Sequence, residues 1–209
     1  MRIVIVIVTV AFAIFGDVAQ ASPSGSAEPS GTELAVAVNA PFRWPHNVAA
    51  SMYLGFCPHQ AVRANFARYE YEPNPAGEII GIAADGAVSE GTYRGAITDV
   101  GVGWMYFPRR LWSGFSFEAG VLRRARDHSI DDAFVLETKT TTYAGRALIG
   151  WSWRIDGRGF ISIAGGISVG RESGTEIVTS TGGMSIAHDV TRSALGAEGF
   201  LRIGAAFGL

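Results

Sequence analysis

Between Gly159 and Gly170 the chain reads GFISIAGGISVG, with Ile161, Ile163, Ile167 and Val169 in one register and Ser162, Ala164, Gly166, Ser168 and Gly170 in the other. A period of two marks a strand whose two faces meet different surroundings. The same alternation, bounded by Gly, Pro, Asn and Asp, predicts eight strands at roughly 33–42, 48–56, 61–71, 94–107, 111–124, 139–154, 158–171 and 194–209. From the second connection onward the predicted linkers alternate between short (CPHQ, PRR, IDGR) and long (72–93, around 125–138, around 172–193). Short turns on one rim and longer loops on the other are the pattern of an antiparallel up-and-down transmembrane β-barrel.

The registers assign the faces. Thr98, Val100, Val102 and Trp104 share one parity, as do Phe115, Phe117, Ala119 and Val121, then Ala147, Ile149 and Trp151, and finally Leu201, Ile203, Ala205, Phe207 and Leu209. The opposite parity holds Gly, Ala and Ser together with every central charge. An arginine facing hydrocarbon near the midplane costs about 2–4 kcal/mol, so this segregation predicts a lipid-facing exterior and a narrow polar lumen. Small interior side chains suit eight strands, whose lumen is just wide enough for side chains to fill. Aromatic residues are expected in two girdles. Phe56, Trp104, Tyr106, Trp112, Trp151, Trp153, Phe160 and Phe207 fall near the short-turn side, and Tyr69, Tyr71, Tyr93 and Tyr143 near the other. One segment resists: Arg63 and Asn65 share a register while Arg68 and Glu70 share the other, which requires either a bulge or a strand whose upper part lies beyond the membrane.

The N-terminal block supplies the compartment. Arg2, the apolar run over 3–15 and Ala19-Gln20-Ala21 predict a secretory signal peptide over 1–21, followed by a flexible Ser/Pro/Gly lead over 22–32 and the barrel over 33–209. No later stretch approaches the roughly 18 consecutive apolar residues of a spanning helix. Cys57 is the one cysteine, so no intrachain disulfide forms, and the net charge of −2 comes without a basic run that would fit nucleic acid.

The C-terminal LRIGAAFGL, with apolar residues alternating to Leu209, resembles the assembly signal of outer-membrane barrels. Over about 33–209 the chain resembles the small eight-stranded outer-membrane family of protein A and X type. That resemblance implies a β-barrel in a Gram-negative outer membrane, inserted by the barrel-assembly machinery.

Candidate chemistry follows from the faces. Asp99, Glu118, Arg146, Glu198 and Arg202, joined by Arg63 if its register holds, are expected to form an ion-pair network that plugs the lumen, because a buried charge demands a partner. An ion gate is the functional alternative for the same residues. Arg123, Arg124 and Arg126 cluster at one strand end and fit bidentate contact with lipopolysaccharide phosphates. His46, His128 and His188 map to the external side; the run around His128, with Ser129, Asp131 and Asp132, holds the residue types of a lipid A deacylase or acyltransferase without the deacylase spacing of His and Ser two apart. The histidines show no metal-ligand spacing, and no cofactor is expected. Within 72–93 a short helix is expected, and the external loops are the expected binding surface, for a partner the residues do not name. The preferred reading is an outer-membrane barrel with a structural or adhesive role, ahead of a lipid A-modifying enzyme and of a soluble lipocalin-like binder.

Overall fold

The computed structural model describes residues 32–39, 47–71, 92–131, 134–155, 157–180 and 182–209. The expected signal peptide, nearly all of the lead, the 72–91 segment with its expected helix, His46 and Asp132 lie outside the described residues. Every regular element described is a strand: β1 Glu33–Asn39, β2 Asn47–Cys57, β3 Gln60–Tyr71, β4 Thr92–Tyr106, β5 Gly114–Asp131, β6 Phe134–Ile155, β7 Gly159–Ser180 and β8 Ser185–Gly208. Each pairs antiparallel with the next, and β1 pairs with β8, so one sheet closes as a ring.

The stagger of that ring is read from the pairing. A row of partners that leaves β8 at Ile203 runs through Val38, Ala50, Phe66, Val100, Arg123, Tyr143 and Arg171 and returns to β8 at Ser193, ten residues along the same strand. For eight strands, a stagger of ten tilts them by about 40° and leaves a lumen that side chains fill. The face assignments hold along the closed region except at Ala205, which belongs to the expected outward set and is 3% exposed. Val102, Phe117, Ile149 and Ile167 are 45–56% exposed, whereas Arg63, Arg202, Glu118 and Arg146 are at most 4% exposed. From the short-turn rim, where Gln60 accepts from Trp104 Nε1, up to Arg68 and Arg123, the other outward positions of the strands are apolar residues or glycine. At about 2.5 Å of climb per tilted residue this band is about 25 Å tall.

Strand β3 runs against β4 without a shift from Gln60 to Tyr71, and the one irregularity against β2 is at Gly55/Cys57. No bulge therefore separates Arg63 and Asn65 from Arg68 and Glu70. The first two point into the lumen, while Arg68 and Glu70 sit exposed on the outer face and pair at 2.8 Å.

Two expectations about the connections fail. The stretches around 125–138 and 172–193 are strands, and β5–β6 and β7–β8 are joined across only 132–133 and 181–184. Alternating hydropathy reports a strand only while one face is apolar. Above the band both faces are polar, so the signal vanishes although β-branched residues such as Thr140, Thr141, Thr142, Ile177 and Val178 continue to favour a strand. The sheet is thus tall on the β5–β8 side and short at β1, and β8 above Arg202 pairs, among the described residues, with β7 alone.

The lumen at the short-turn end is filled by large side chains. The β4–β5 connection folds beneath the β2–β3 turn, with Phe107 N donating to His59 O and Leu111 N to Pro58 O, both at 2.8 Å. This carries Trp112 into the ring, where it stacks on Phe160 with centroids 4.6 Å apart and meets Tyr53 edge-on at 5.0 Å. Trp112 and Phe160 were expected in the outer girdle; they are 1% and 2% exposed and belong to the core. Phe160 shares the parity of Ser162, which already assigns it inward, and Trp112 lies in a turn, where strand parity has no meaning. Trp112 adopts φ +61, a conformation unusual for a bulky residue, and its packing together with an Nε1 hydrogen bond to Glu33 Oε2 at 2.9 Å holds it there. Replacing Trp112 with Ala is expected to cost about 3–5 kcal/mol, measured as the denaturant midpoint of refolded protein; a loss under about 1 kcal/mol would deny it a packed position.

Candidate functional site

Strand alternation sends Arg63 and Asn65 of β3, Asp99 of β4, Glu118, Arg124 and Arg126 of β5, Arg146 of β6, Ser168 and Glu172 of β7, and Glu198, Phe200 and Arg202 of β8 to the inner face. Because the rows climb around the tilted ring, charges far apart in sequence meet at three successive levels.

At the lowest level Glu118 receives three arginines. Arg63 Nη2 and Arg146 Nη2 approach Oε1 at 2.6 and 3.0 Å, and Arg202 Nη2 approaches Oε2 at 3.1 Å. Asn65 Oδ1 accepts from Arg63 at 3.2 Å and from Arg146 at 3.1 Å. The Phe200 ring lies 4.9–5.4 Å from the guanidinium carbons of all three arginines. Its negative π faces give these cations the one further attraction that an apolar side chain can offer.

At the middle level Arg124 grips Asp99 through two bonds, Nε to Oδ1 at 2.8 Å and Nη2 to Oδ2 at 2.7 Å, and also reaches Glu198 Oε1 at 3.1 Å. Ser168 Oγ donates to the same Glu198 oxygen at 2.7 Å. At the upper level Glu172 accepts from Thr140 Oγ1 at 2.5 Å and Arg192 Nε at 3.1 Å, with Arg126 Nη1 at 3.8 Å, and Arg192 Nη1 also lies 3.6 Å from Glu176. Below all three, Glu33 is paired with Arg154 at 3.3 Å beside the aromatic plug.

The five charges expected in one network therefore occupy two levels. Arg146 and Arg202 meet, together with Arg63, on Glu118, while Asp99 and Glu198 are joined by Arg124. Arg124 and Arg126 had been grouped with Arg123 as a lipid-facing cluster, and the structure separates them. Arg123 is exposed outside, and the other two project inward. Arg124 lies an even number of residues from Glu118, so the register alone assigns it to the lumen; the local run of arginines obscured that parity. Asn65, Phe200 and the Glu172 level lay outside the expectation, since a neutral amide, an aromatic ring and a strand without hydropathic alternation give no charge signal in the band.

Among the described residues the histidines do not assemble a catalytic constellation. His59 sits in the β2–β3 turn with Nδ1 3.0 Å from Phe107 O. His128 and Ser129 point to opposite faces of β5, as do His188 and Asp189 on β8. Among the described residues no group of His, Cys, Asp and Glu could hold a metal ion. What the lumen can do chemically is hold charge: it is cationic at the lowest level and anionic at the middle one, and the two signs balance at the upper.

Removing one member of a buried ion cluster leaves its partners uncompensated. Glu118→Ala, which strands three guanidiniums, is expected to lower unfolding stability by about 3–5 kcal/mol in denaturant titration, and a change below about 1 kcal/mol would refute the cluster.

Acid should act on the upper level, above the apolar band. Burial, then the nearby Arg126, holds the His128 imidazole below the usual histidine range, with Glu172 and Glu176 opposing and Arg192 adding to the depression. Burial pushes the Glu172 carboxyl up, but hydrogen bonds from Thr140 and Arg192 and the charge of Arg126 hold it below the usual carboxylate range. Both groups bind protons less readily folded than unfolded, so stability falls as pH falls, first below the ordinary histidine value of about 6.5 and again below the ordinary carboxylate value of about 4.3. Amide-exchange protection across the β6–β7 extension is expected to be lower at acid pH than at neutral pH. Glu172→Gln is expected to flatten the lower limb and, by removing a charge that opposes the depression of His128, to deepen the upper one.

A scan against protein-family models returns no match to this chain, and a search of curated proteins likewise returns none.

Proposed function

We propose that the chain is an outer-membrane β-barrel whose role is structural or adhesive, with its lumen closed by ion pairs and its tall β5–β8 sheet presented beyond the bilayer as a binding surface. The observation that carries this reading is the inverted polarity: an outer band about 25 Å tall without a charged side chain, around an interior that buries Arg63, Glu118, Arg146 and Arg202. A soluble monomer rarely exposes a contiguous apolar patch beyond a few hundred Å², and this band encircles the whole ring. Trp104, Tyr106, Trp151 and Trp153 are exposed at its lower margin, where amphipathic rings favour a headgroup boundary.

The upper margin suggests the lipid partner. Arg123 of β5 and Arg171 of β7 flank the exposed Tyr143 in one row of partners, immediately above the last apolar positions. Guanidiniums at that level suit the phosphates of lipopolysaccharide, and this pair replaces the Arg123, Arg124 and Arg126 set. Insertion by the barrel-assembly machinery belongs to the same proposal.

One substitution separates a hydrocarbon surrounding from water. Ile149→Arg on the outer face is expected to cost about 2–4 kcal/mol in folding titrations into bilayers. It should also deplete the folded form, recognised by its faster gel migration before boiling, from the outer-membrane fraction. A cost within about 0.5 kcal/mol, the usual size for a water-facing position, would end the membrane reading. In the same preparations, lipopolysaccharide carried through purification is expected to fall when Arg123 and Arg171 are both replaced by Ala, and unchanged retention would remove that contact from the proposal.

A further inference from the structure

We propose that the lowest level of the lumen is a binding site for a small inorganic anion, chloride in ordinary media, held by Arg63, Arg146 and Arg202. The proposal concerns only the interior of the closed ring and does not depend on what surrounds it.

Charge is the first argument. Three guanidiniums share Glu118 as their one carboxylate, and all four residues are at most 4% exposed. The next carboxylates up the lumen, Asp99 and Glu198, are committed to Arg124, and Glu198 also takes the Ser168 hydroxyl. Below, the aromatic plug of Tyr53, Phe160 and Trp112 keeps polarisable solvent away from that side. The lowest level therefore carries two positive charges in excess, and the single surplus negative charge of the Asp99–Arg124–Glu198 level above offsets them only in part. A net positive charge is left where the surroundings screen it poorly, and such an excess attracts a counterion.

Hydrogen-bond capacity is the second argument, independent of net charge. Both Glu118 oxygens are already occupied, Oε1 by two arginines and Oε2 by the third, and Asn65 Oδ1 accepts twice. The buried donors Arg63 Nε and Nη1, Arg146 Nε and Arg202 Nε have no acceptor among the described residues, nor do the hydroxyls of Tyr53 and Ser162 have a partner. Register brings these groups together: Tyr53 is the strand partner of Arg63, and Ser162 that of Arg202. A water molecule brings as many donors as acceptors and no charge, so it leaves both imbalances standing. A small anion accepts from several donors at once and offsets the charge, which is why the chemistry selects an anion. Its size is bounded by the ring, because an eight-stranded lumen is largely filled by side chains, which favours a halide over a phosphate ester or a carboxylic acid.

The test uses the full folded chain. Crystals grown with bromide in place of chloride are expected to show an anomalous peak within hydrogen-bonding distance of the Arg63, Arg146 and Arg202 nitrogens. In solution, unfolding in sodium chloride is expected about 5 °C higher than in sodium gluconate at equal ionic strength, since the bulky gluconate cannot enter, and the gap should widen with chloride concentration. Arg63→Met combined with Arg202→Met leaves one guanidinium against one carboxylate and is expected to abolish the chloride response. Glu118→Gln raises the excess and is expected to enlarge it. Bromide confined to the outer surface, or equal midpoints in the two salts for the unsubstituted protein, would overturn the proposal, and neither result depends on a variant that folds.

Discussion

Hydrogen bonding between β1 and β8, from Glu33 opposite Gly208 to Asn39 opposite Arg202, is the constraint from which the other features follow. Closing the sheet creates an inside and an outside, and the strict alternation of side chains along each strand then commits every residue to one of them. Slipping any strand by one position would send Glu118 or Arg146 outward and Phe117 or Ala147 inward. The cost of exposing or stranding those charges makes the register self-enforcing, and the lumen's ion pairs act as a lock on the pairing as well as a filling. Among the described residues the strand closing the ring is also its shortest, so this seam depends on the side chains packed behind it, notably Glu33 with its bonds to Trp112 and Arg154.

The stagger of ten residues decides which charges meet. In a flat, untilted arrangement, residues level with one another would be strict strand partners, yet Glu118 reaches Arg63 from β3 and Arg202 from β8, neither of them on a strand adjacent to its own. Tilt wraps the rows into a climbing helix, and long arginine side chains cross the narrow lumen between them. The result is a vertical sequence of unlike levels, with an apolar plug beneath a cationic cluster, then an anionic one, then a charge-balanced level contributed by β5 to β8. Each level is held by partners contributed from several strands.

Within the band, the inner and outer sets were legible from parity alone, because one face had to be apolar and the other did not. Arg124 shows how that rule can be set aside by a more eye-catching local motif, for its parity with Glu118 was present in the sequence throughout. Above the band the same reading fails for a physical reason. The upper parts of β5 to β8 are wet on both faces, so Thr140 to Thr142 and Glu172 to Glu176 look like loop while their backbones remain paired.

What the sequence by itself determined was the set of faces and the number of strands, since period-two alternation is a local property that each strand carries without reference to its neighbours. The tertiary structure decided three things that no local pattern contains. The first is the length of the tall hairpins, sustained by strand pairing after hydropathy falls silent. The second is the entry of Trp112 into the lumen, dictated by a turn that folds under its neighbour. The third is the gathering of three arginines on Glu118, which depends on a stagger accumulated around the whole ring.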